Sequence, residues 1–283
     1  MVLLTSYLAE RFEQTVGAAR QRGISVEVAH EKEPLGTAGA LKNAEAFVGD
    51  DTFLAFNADI LTAADLGAIV GFHRAASAEA TILLTPVEDP SAFGVVPTDD
   101  DGRVLGFIEK PPPGESPTNL INAGVYVMEP SVLDRIPRNE PWSAERALFP
   151  GLVEEGARLF ATSTSAYWMD IGTPDKYLRA NLDALHGRFT STRIGIPDEN
   201  HVLLGPEVRL DDDVRISSSC LGGRAEIHTG AEVRDSVLLP GAVVSRGARV
   251  EASVLGEAST VLEGASVLGR AIADGEIVGP KET

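Results

Sequence analysis

Beyond about residue 200 the chain repeats itself, and that repeat limits the possible folds more than any other stretch. Asp235-Ser236-Val237-Leu238-Leu239-Pro240-Gly241-Ala242 is echoed by Ala252-Ser253-Val254-Leu255-Gly256-Glu257-Ala258 and by Ala265-Ser266-Val267-Leu268-Gly269-Arg270-Ala271. Aliphatic or small residues recur six apart at Val208, Val214 and Cys220, at Ile227 and Val233, and at Val261 and Val267. A six-residue period predicts short strands stacked as a parallel β-helix, each coil burying its apolar edge against the next. A sandwich of hairpins would instead show period-two alternation over longer runs. The register slips by one between Cys220 and Ile227, which reads as a bulged corner.

The first half has a different grammar, alternating strand and helix. Val2 to Leu4 is a short apolar run, Ser6 is placed to cap a helix from Tyr7 to about Arg20 with Leu8, Phe12 and Val16 on one face, and Gly23 ends it. A strand from Ile24 to Val28 leads to Gly36 and Gly39, which bracket the start of a helix through Ala46. Backbone N–H groups there could face a ligand, although close packing is the usual meaning of such a glycine pair. Thr52 to Ile60 reads as a buried strand with Asp59 at its carboxyl end, followed by a helix over 63–76 and a strand over 80–87. This βαβαβαβ order predicts a parallel, doubly wound sheet. An antiparallel insertion follows, with Phe93-Gly94-Val95-Val96 and Arg103 to Glu109 joined by an Asp99-Asp100-Asp101-Gly102 turn. Further on, Thr173 and Pro174 start a helix with Tyr177, Leu178, Leu182 and Leu185 as its apolar stripe and Gly187 as its stop.

Asp59 has two readings: it caps the next helix, or it sits at the sheet edge where α/β folds bind ligands. A second apolar segment, Tyr167-Trp168-Met169-Asp170-Ile171-Gly172-Thr173-Pro174, also delivers a carboxylate into a tight turn. Asp59 and Asp170 brought together would hold one hard cation, because Mg²⁺ is typically bound by one or two carboxylates plus substrate phosphate oxygens.

Composition removes several function classes. With 42 acidic against 24 basic residues, a formal charge of −18 and 6% aromatic residues, the chain repels a phosphate backbone and offers few rings for base stacking, so no nucleic-acid partner is expected. Cys220 is the only cysteine, which excludes an intramolecular disulfide and a Cys-rich zinc site and suits the cytoplasm. No apolar run has the length of a membrane span, and Met1 to Leu8 lacks the marks of a signal peptide.

Six motifs then occur in order: Glu-Pro-Leu-Gly-Thr-Ala-Gly-Ala (33–40), Asn-Ala-Asp-Ile-Leu (57–61), Phe-Gly-Val-Val (93–96), Ile-Glu-Lys-Pro (108–111), Asn-Ala-Gly-Val-Tyr (122–126) and Trp-Met-Asp-Ile-Gly-Thr-Pro (168–174). In this order they resemble the sugar-nucleotide pyrophosphorylases, and within them the mannose-1-phosphate guanylyltransferases with a C-terminal left-handed β-helix. The resemblance implies an α/β, Rossmann-like nucleotidyltransferase domain over 1–188 and a hexapeptide-repeat left-handed β-helix over 189–283. It implies nucleotidyl transfer from a nucleoside triphosphate, GTP by this reading, to a sugar 1-phosphate such as mannose 1-phosphate, and a homo-oligomer formed through the β-helix. By the same resemblance Asp59 and Asp170 carry Mg²⁺ and Lys110 the sugar phosphate. Glu109 and Asn122 meet the sugar hydroxyls, Gly94 and Gly124 permit close approach, and Glu31, Gly36 and Thr37 lie at the nucleotide. The alternatives for Lys110 and Asn122 are a solvated lysine and a local side-chain cap.

One departure stands out. The family's opening Gly-x-Gly-Thr-Arg loop is absent, and Met1 falls where the family reaches its third strand, so the reading is a fragment or short form lacking two βα units of about thirty residues each. Other readings kept are a regulatory binding paralogue without turnover, a thymidylyl-, uridylyl- or adenylyltransferase, and a hexapeptide acyltransferase using His228 or His201.

Overall fold

The computed structural model describes residues 1–7, 9–191 and 194–280. In chain order the first part holds strands β1 (Val2–Thr5), β2 (Glu27–His30), β3 (Phe53–Phe56), β4 (Ile60–Thr62), β5 (Ala80–Pro86), β6 (Gly94–Val95), β7 (Ile108–Glu109), β8 (Leu120–Met128), β9 (Leu159–Ser163) and β10 (Trp168–Asp170). Its helices are α1 (Glu13–Gln21), α2 (Gly36–Asn43), α3 (Glu45–Val48), α4 (Leu66–Ala75), α5 (Phe149–Glu154) and α6 (Pro174–Leu185). Two compact units result: Met1–Ala58 with Ala64–Ala166, and Asp59–Ala63 with Tyr167–Thr283. By compactness β4, β10 and α6 group with the repeat region. None of the described helices is long and apolar enough to cross a membrane.

The sheet of the first unit is mixed, which corrects the parallel arrangement expected from the alternation. β8 lies antiparallel between β3 and β5, while β5 and β9 run parallel and β6 and β7 extend the other end. The crossover from β3 through α4 to β5 skips one position, and β8, arriving later in the chain, fills it. Alternation along the sequence does not encode that skip. The strand expected over 52–60 stops at Phe56; among the described residues β3 pairs with β8, and Leu54 and Phe56 on one of its faces are each 43% exposed. β1 and β2 form a separate parallel pair. Leu4 of β1 nonetheless packs on the same core as Phe53 and Ala55 of β3. Tyr126, Phe149, Ile82, Leu84 and Met128 fill the centre of that core.

Local signals were borne out unevenly. The turn at Asp99 to Gly102 closes a hairpin, with Thr98 bridged to Val104 and Gly102 at positive φ. Thr173 caps α6 through Lys176 N (3.4 Å), Pro174 takes its first turn, and Gly187 lies just past its end at φ +72°. In its stripe only Leu185 is fully buried, together with Ala180 and Asp183; Tyr167, Arg179 and Arg188 satisfy the Asp183 carboxylate. The first helix differs: Ala9–Phe12 is a single 3₁₀ turn, α1 starts at Glu13 with Phe12 as an uncapped entry, and only Val16 is buried. Leu8, expected on its apolar face, lies outside the described residues.

The repeat region is a parallel β-solenoid of about five turns. Strands starting at Val202, Ser219, Val237, Val254 and Ala271 stack on one face, with two further faces built the same way. Each coil repeats after 17 residues, as the stacked serines Ser219, Ser236 and Ser253 demonstrate by passing hydrogen bonds from coil to coil. The slip read between Cys220 and Ile227 is therefore not there: Leu221 to Ile227 is a regular step of six, and the irregular step falls ahead of Cys220, at Ser218, and recurs in every coil. Inward residues run Leu221, Ile227, Val233, then Leu238, Val244, Val250, then Leu255, Val261, Val267. Two steps of six and one of five alternate, and the short step passes through left-handed residues at Ser218, Asp235, Ala252 and Gly269. Cys220 is consequently not the inward residue of its coil; Leu221 is.

Candidate active site

The second unit brings the two predicted metal ligands together. β4 pairs antiparallel with β10 so that Ile60 faces Asp170, and Ile171 N–H donates to the Asp59 carbonyl at 2.7 Å. A β-carbon on Gly172 would lie 3.0 Å from Asp170 Oδ1 and 3.4 Å from Asp59 Oδ2, so both carboxylates converge on the space that Gly172 leaves open. The capping alternative for Asp59 falls away, because α4 is capped by Asp65, which accepts from Ala68 N at 3.1 Å. Asp170 is held at both oxygens: Oδ1 accepts from Gly172 N (2.8 Å) and Oδ2 from Lys176 Nζ (2.8 Å). Partial burial pushes the Asp170 carboxyl up, but the Lys176 ammonium and the Gly172 N–H outweigh it, and the group ends below its ordinary value.

Two hard oxygen donors beside a glycine gap fit Mg²⁺, which usually keeps waters and substrate phosphate oxygens as its other ligands. Among the described residues there is no cluster of three or more His, Cys, Asp or Glu for a fully protein-ligated ion.

A second constellation lies in the first unit along β7, β6 and β8. Gly94 pairs with Glu109, and a β-carbon at Gly94 would stand 3.1 Å from Glu109 Oε2, so the glycine lets that carboxylate lie against the strand. Lys110 follows with φ +49°, a left-handed conformation uncommon outside glycine, fixed by its N–H donating to Phe93 O at 3.0 Å. Its side chain is exposed. Asn122 is engaged at both ends: Oδ1 accepts from Gly124 N (3.0 Å) and Nδ2 donates to Tyr126 Oη (2.8 Å). The local cap is thus present, and one N–H and one lone pair of the amide remain. Gly124 takes φ +71°, which brings its carbonyl onto Asn57 N at 2.9 Å.

Residues not singled out in the sequence tie this constellation together. Tyr126 Oη donates to Glu145 Oε1 (3.2 Å), Ser143 Oγ donates to Glu145 Oε2 (3.0 Å), and Arg146 stands 3.5 Å from Glu109. Burial, with the Glu145 charge, raises the Tyr126 phenol far above its ordinary value, so it stays a donor. The available signal was Ser143 ahead of an apolar run, since its Oγ caps the turn at Arg146 N. Glu145, one position short of where a capping-box carboxylate would stand, instead accepts from the Tyr126 and Ser143 hydroxyls.

The β2–α2 loop forms a third group in the same unit. Glu31 is 7% exposed; Oε2 accepts from Leu35 N at 2.9 Å, and its own N–H donates to Thr5 O. Gly36, at φ +69°, and Gly39 both back onto the segment 140–142: added β-carbons would meet Trp142 O at 3.0 Å and Glu140 O at 2.9 Å. Ala38 N and Gly39 N both donate to Trp142 O, so close packing against this segment accounts for both glycines. Thr5 Oγ1 and Trp142 Nε1 are buried here without a hydrogen-bond partner among the described residues.

Comparison with known proteins finds likenesses over both parts of the chain. Residues 1–187 match the family model for nucleotidyl transferase, and residues 203–277 match that for a GlmU-like C-terminal hexapeptide region. A mannose-1-phosphate guanylyltransferase of Mycobacterium tuberculosis is 37% identical over 243 residues, 85% of this chain and 67% of the relative. The catalytic subunit beta of the Danio rerio mannose-1-phosphate guanylyltransferase is 41% identical over 182 residues, 63% of this chain and 49% of the relative. The chain spans about half to two thirds of the length of the curated relatives it matches. Among solved structures, HddC from Yersinia pseudotuberculosis complexed with GMP-PN superposes with a TM-score of 0.55 at 28% identity, covering 63% of this chain and 76% of that one.

Proposed function

This chain belongs to the nucleotidyl transferase family, and we propose that it serves the transfer of GMP from GTP to mannose 1-phosphate, giving GDP-mannose and pyrophosphate. The observation that carries the reading is the convergence of Asp59 and Asp170 on Gly172. In this reaction an oxygen of the sugar phosphate forms a bond to the α-phosphorus of GTP, and the bond from that phosphorus to the departing pyrophosphate breaks. The nucleophile is a phosphate monoester whose second ionisation lies at about pH 6, so it is already anionic and no side-chain base is required. What the protein must supply is alignment of two anions and compensation of their charge.

Mg²⁺ held by Asp59 and Asp170 would supply part of that compensation on the phosphate oxygens. Lys110, fixed at its backbone and exposed at its ammonium, holds the sugar phosphate. Glu109 and the remaining amide capacity of Asn122 take sugar hydroxyls, with Gly94 and Gly124 keeping the strand surface open. Glu31, Gly36 and Thr37 serve the base. Guanine is supported by the names of the relatives and by the GMP-PN complex of HddC. Self-association through the solenoid is the matching assembly, supported by exposed Leu204, Leu210, Leu262, Leu268 and Ile277 on its surface.

The test is pyrophosphate release with Mg²⁺ and mannose 1-phosphate, comparing GTP with ATP, UTP and dTTP. Selective turnover of GTP supports the proposal. Turnover of another nucleotide instead would change the base assignment, and binding of GTP and sugar phosphate without release would select a regulatory role. His228 is an exposed solenoid residue bonded to Asp211, and His201 Nδ1 lies 3.2 Å from Leu185 O; acetyl-CoA consumption without nucleotide binding would move the function to them.

A further inference from the structure

The carboxylate pair carries a third charged partner that the proposed reaction does not assign. Lys176 Nζ lies 2.8 Å from Asp170 Oδ2, on the carboxylate that would ligate the cation. Lys176 sits in the first turn of α6, where the helix dipole disfavours a cation, so the helix itself gives no reason for a lysine there. Asp170 gives one. Its Oδ1 is tied to Gly172 N and its backbone to β4, so the carboxylate is oriented before any ligand arrives and Oδ2 is the oxygen whose partner can change. The lysine side chain is 42% exposed and has a flexible four-carbon stem, so it can leave Oδ2 without moving α6.

We propose that Lys176 is a built-in counter-ion of the carboxylate pair, competing with the divalent cation for Asp170 and neutralising the pair whenever the cation is away. Two carboxylates facing one gap repel each other, and an ammonium on one of them removes that penalty from the cation-free state. The same contact weakens cation binding, because an ion on Asp170 either displaces Lys176 from Oδ2 or sits beside its like charge on the same carboxylate. Lys176 is therefore a positioning residue that sets how readily the site loads and empties. This rests on the metal assignment made above.

The test measures Mn²⁺ binding directly, by electron paramagnetic resonance of free Mn²⁺, in the whole chain without nucleotide or sugar. Lys176→Met is expected to bind Mn²⁺ roughly three- to tenfold more tightly than the parent, the range expected on losing a partly exposed ion pair and a nearby like charge. Lys176→Arg, which keeps the charge, should stay close to the parent, and Asp170→Asn should lose binding. In chelator, Lys176→Met should melt slightly lower than the parent, with Mn²⁺ restoring more of its stability than it adds to the parent. If Asp170→Asn loses Mn²⁺ while Lys176→Met binds no more tightly than the parent, the counter-ion role is overturned and the metal assignment stands. If parent and Asp170→Asn bind Mn²⁺ equally, or neither binds it, the metal assignment fails and the counter-ion role goes with it.

Discussion

A lysine held at φ +49° costs about 1 kcal/mol or more relative to glycine, and the surrounding strand must hold it there. That cost separates function from stability at Lys110. Lys110→Gly should raise the unfolding free energy by roughly 1 kcal/mol while lowering turnover about a hundredfold, the loss expected when a charge on a transferring phosphate is removed. Lys110→Ala should lower turnover equally with no gain in stability. Equal turnover in the parent and either variant would return Lys110 to a solvated turn residue. For the carboxylates, Asp59→Asn or Asp170→Asn should leave the fold intact and abolish Mg²⁺-dependent turnover, read by pyrophosphate release alongside circular dichroism. Asp170 adds a pH signature. Its value in the folded chain lies below the ordinary one, so its contribution to stability is present above the ordinary carboxylate range and is lost as pH falls through the folded value. Melting curves of the parent and Asp170→Asn should therefore differ near neutrality and converge in acid.

The elements around these residues were legible to different depths. Motifs in order placed Asp59 and Asp170 in one site, and Thr173, Pro174 and Gly187 marked both ends of α6, because caps and carboxylate turns are local chemistry. The position of β8 between β3 and β5 was not legible, since strand order depends on pairings that no local pattern records. Nor was the separation of β4 from β3, which places Asp59 on a different compact unit from the strand that precedes it. The Glu145 and Arg146 links were hidden for a related reason: they join residues distant in sequence through charges that look like ordinary surface. Trp142 appears as one aromatic residue in a polar stretch, yet Gly36 and Gly39 are shaped around its segment. Gly39→Ala would press a methyl against Leu35 Cβ and Glu140 O at 2.8 and 2.9 Å, both anchored groups. It should destabilise the first unit by roughly 1 to 3 kcal/mol, measured by denaturant titration. A neutral Gly39→Ala would mean the 140–142 segment gives way. The side of β3 with no strand partner among the described residues predicts a second observable: amides of β3 that point away from β8 should exchange with solvent far faster than those of β8, which has strands at both edges. Equal protection would place a further strand, from this chain or another copy, on β3.

At the size of the whole molecule the chain is two compact units with different kinds of stability. The first rests on one core fed by distant strands, whereas the solenoid gains stability coil by coil, each contacting its neighbours alone. Heating should therefore give two transitions in calorimetry, and a substitution inside one coil should move only one of them. Val250 is the substitution of choice: it is fully buried, its strand stacks between those of Val233 and Val267, and it is far in sequence from every residue assigned to the reaction. Val250→Ala removes two methyl groups from a stack whose backbone hydrogen bonds on both sides prevent the coils from closing the gap, at a cost of roughly 2 to 3 kcal/mol. The solenoid transition should fall by several degrees while the other stays in place, and pyrophosphate release below that temperature should be unchanged. A shift of both transitions together would mean that the two units unfold as one cooperative body, and the coil-by-coil account would have to be given up.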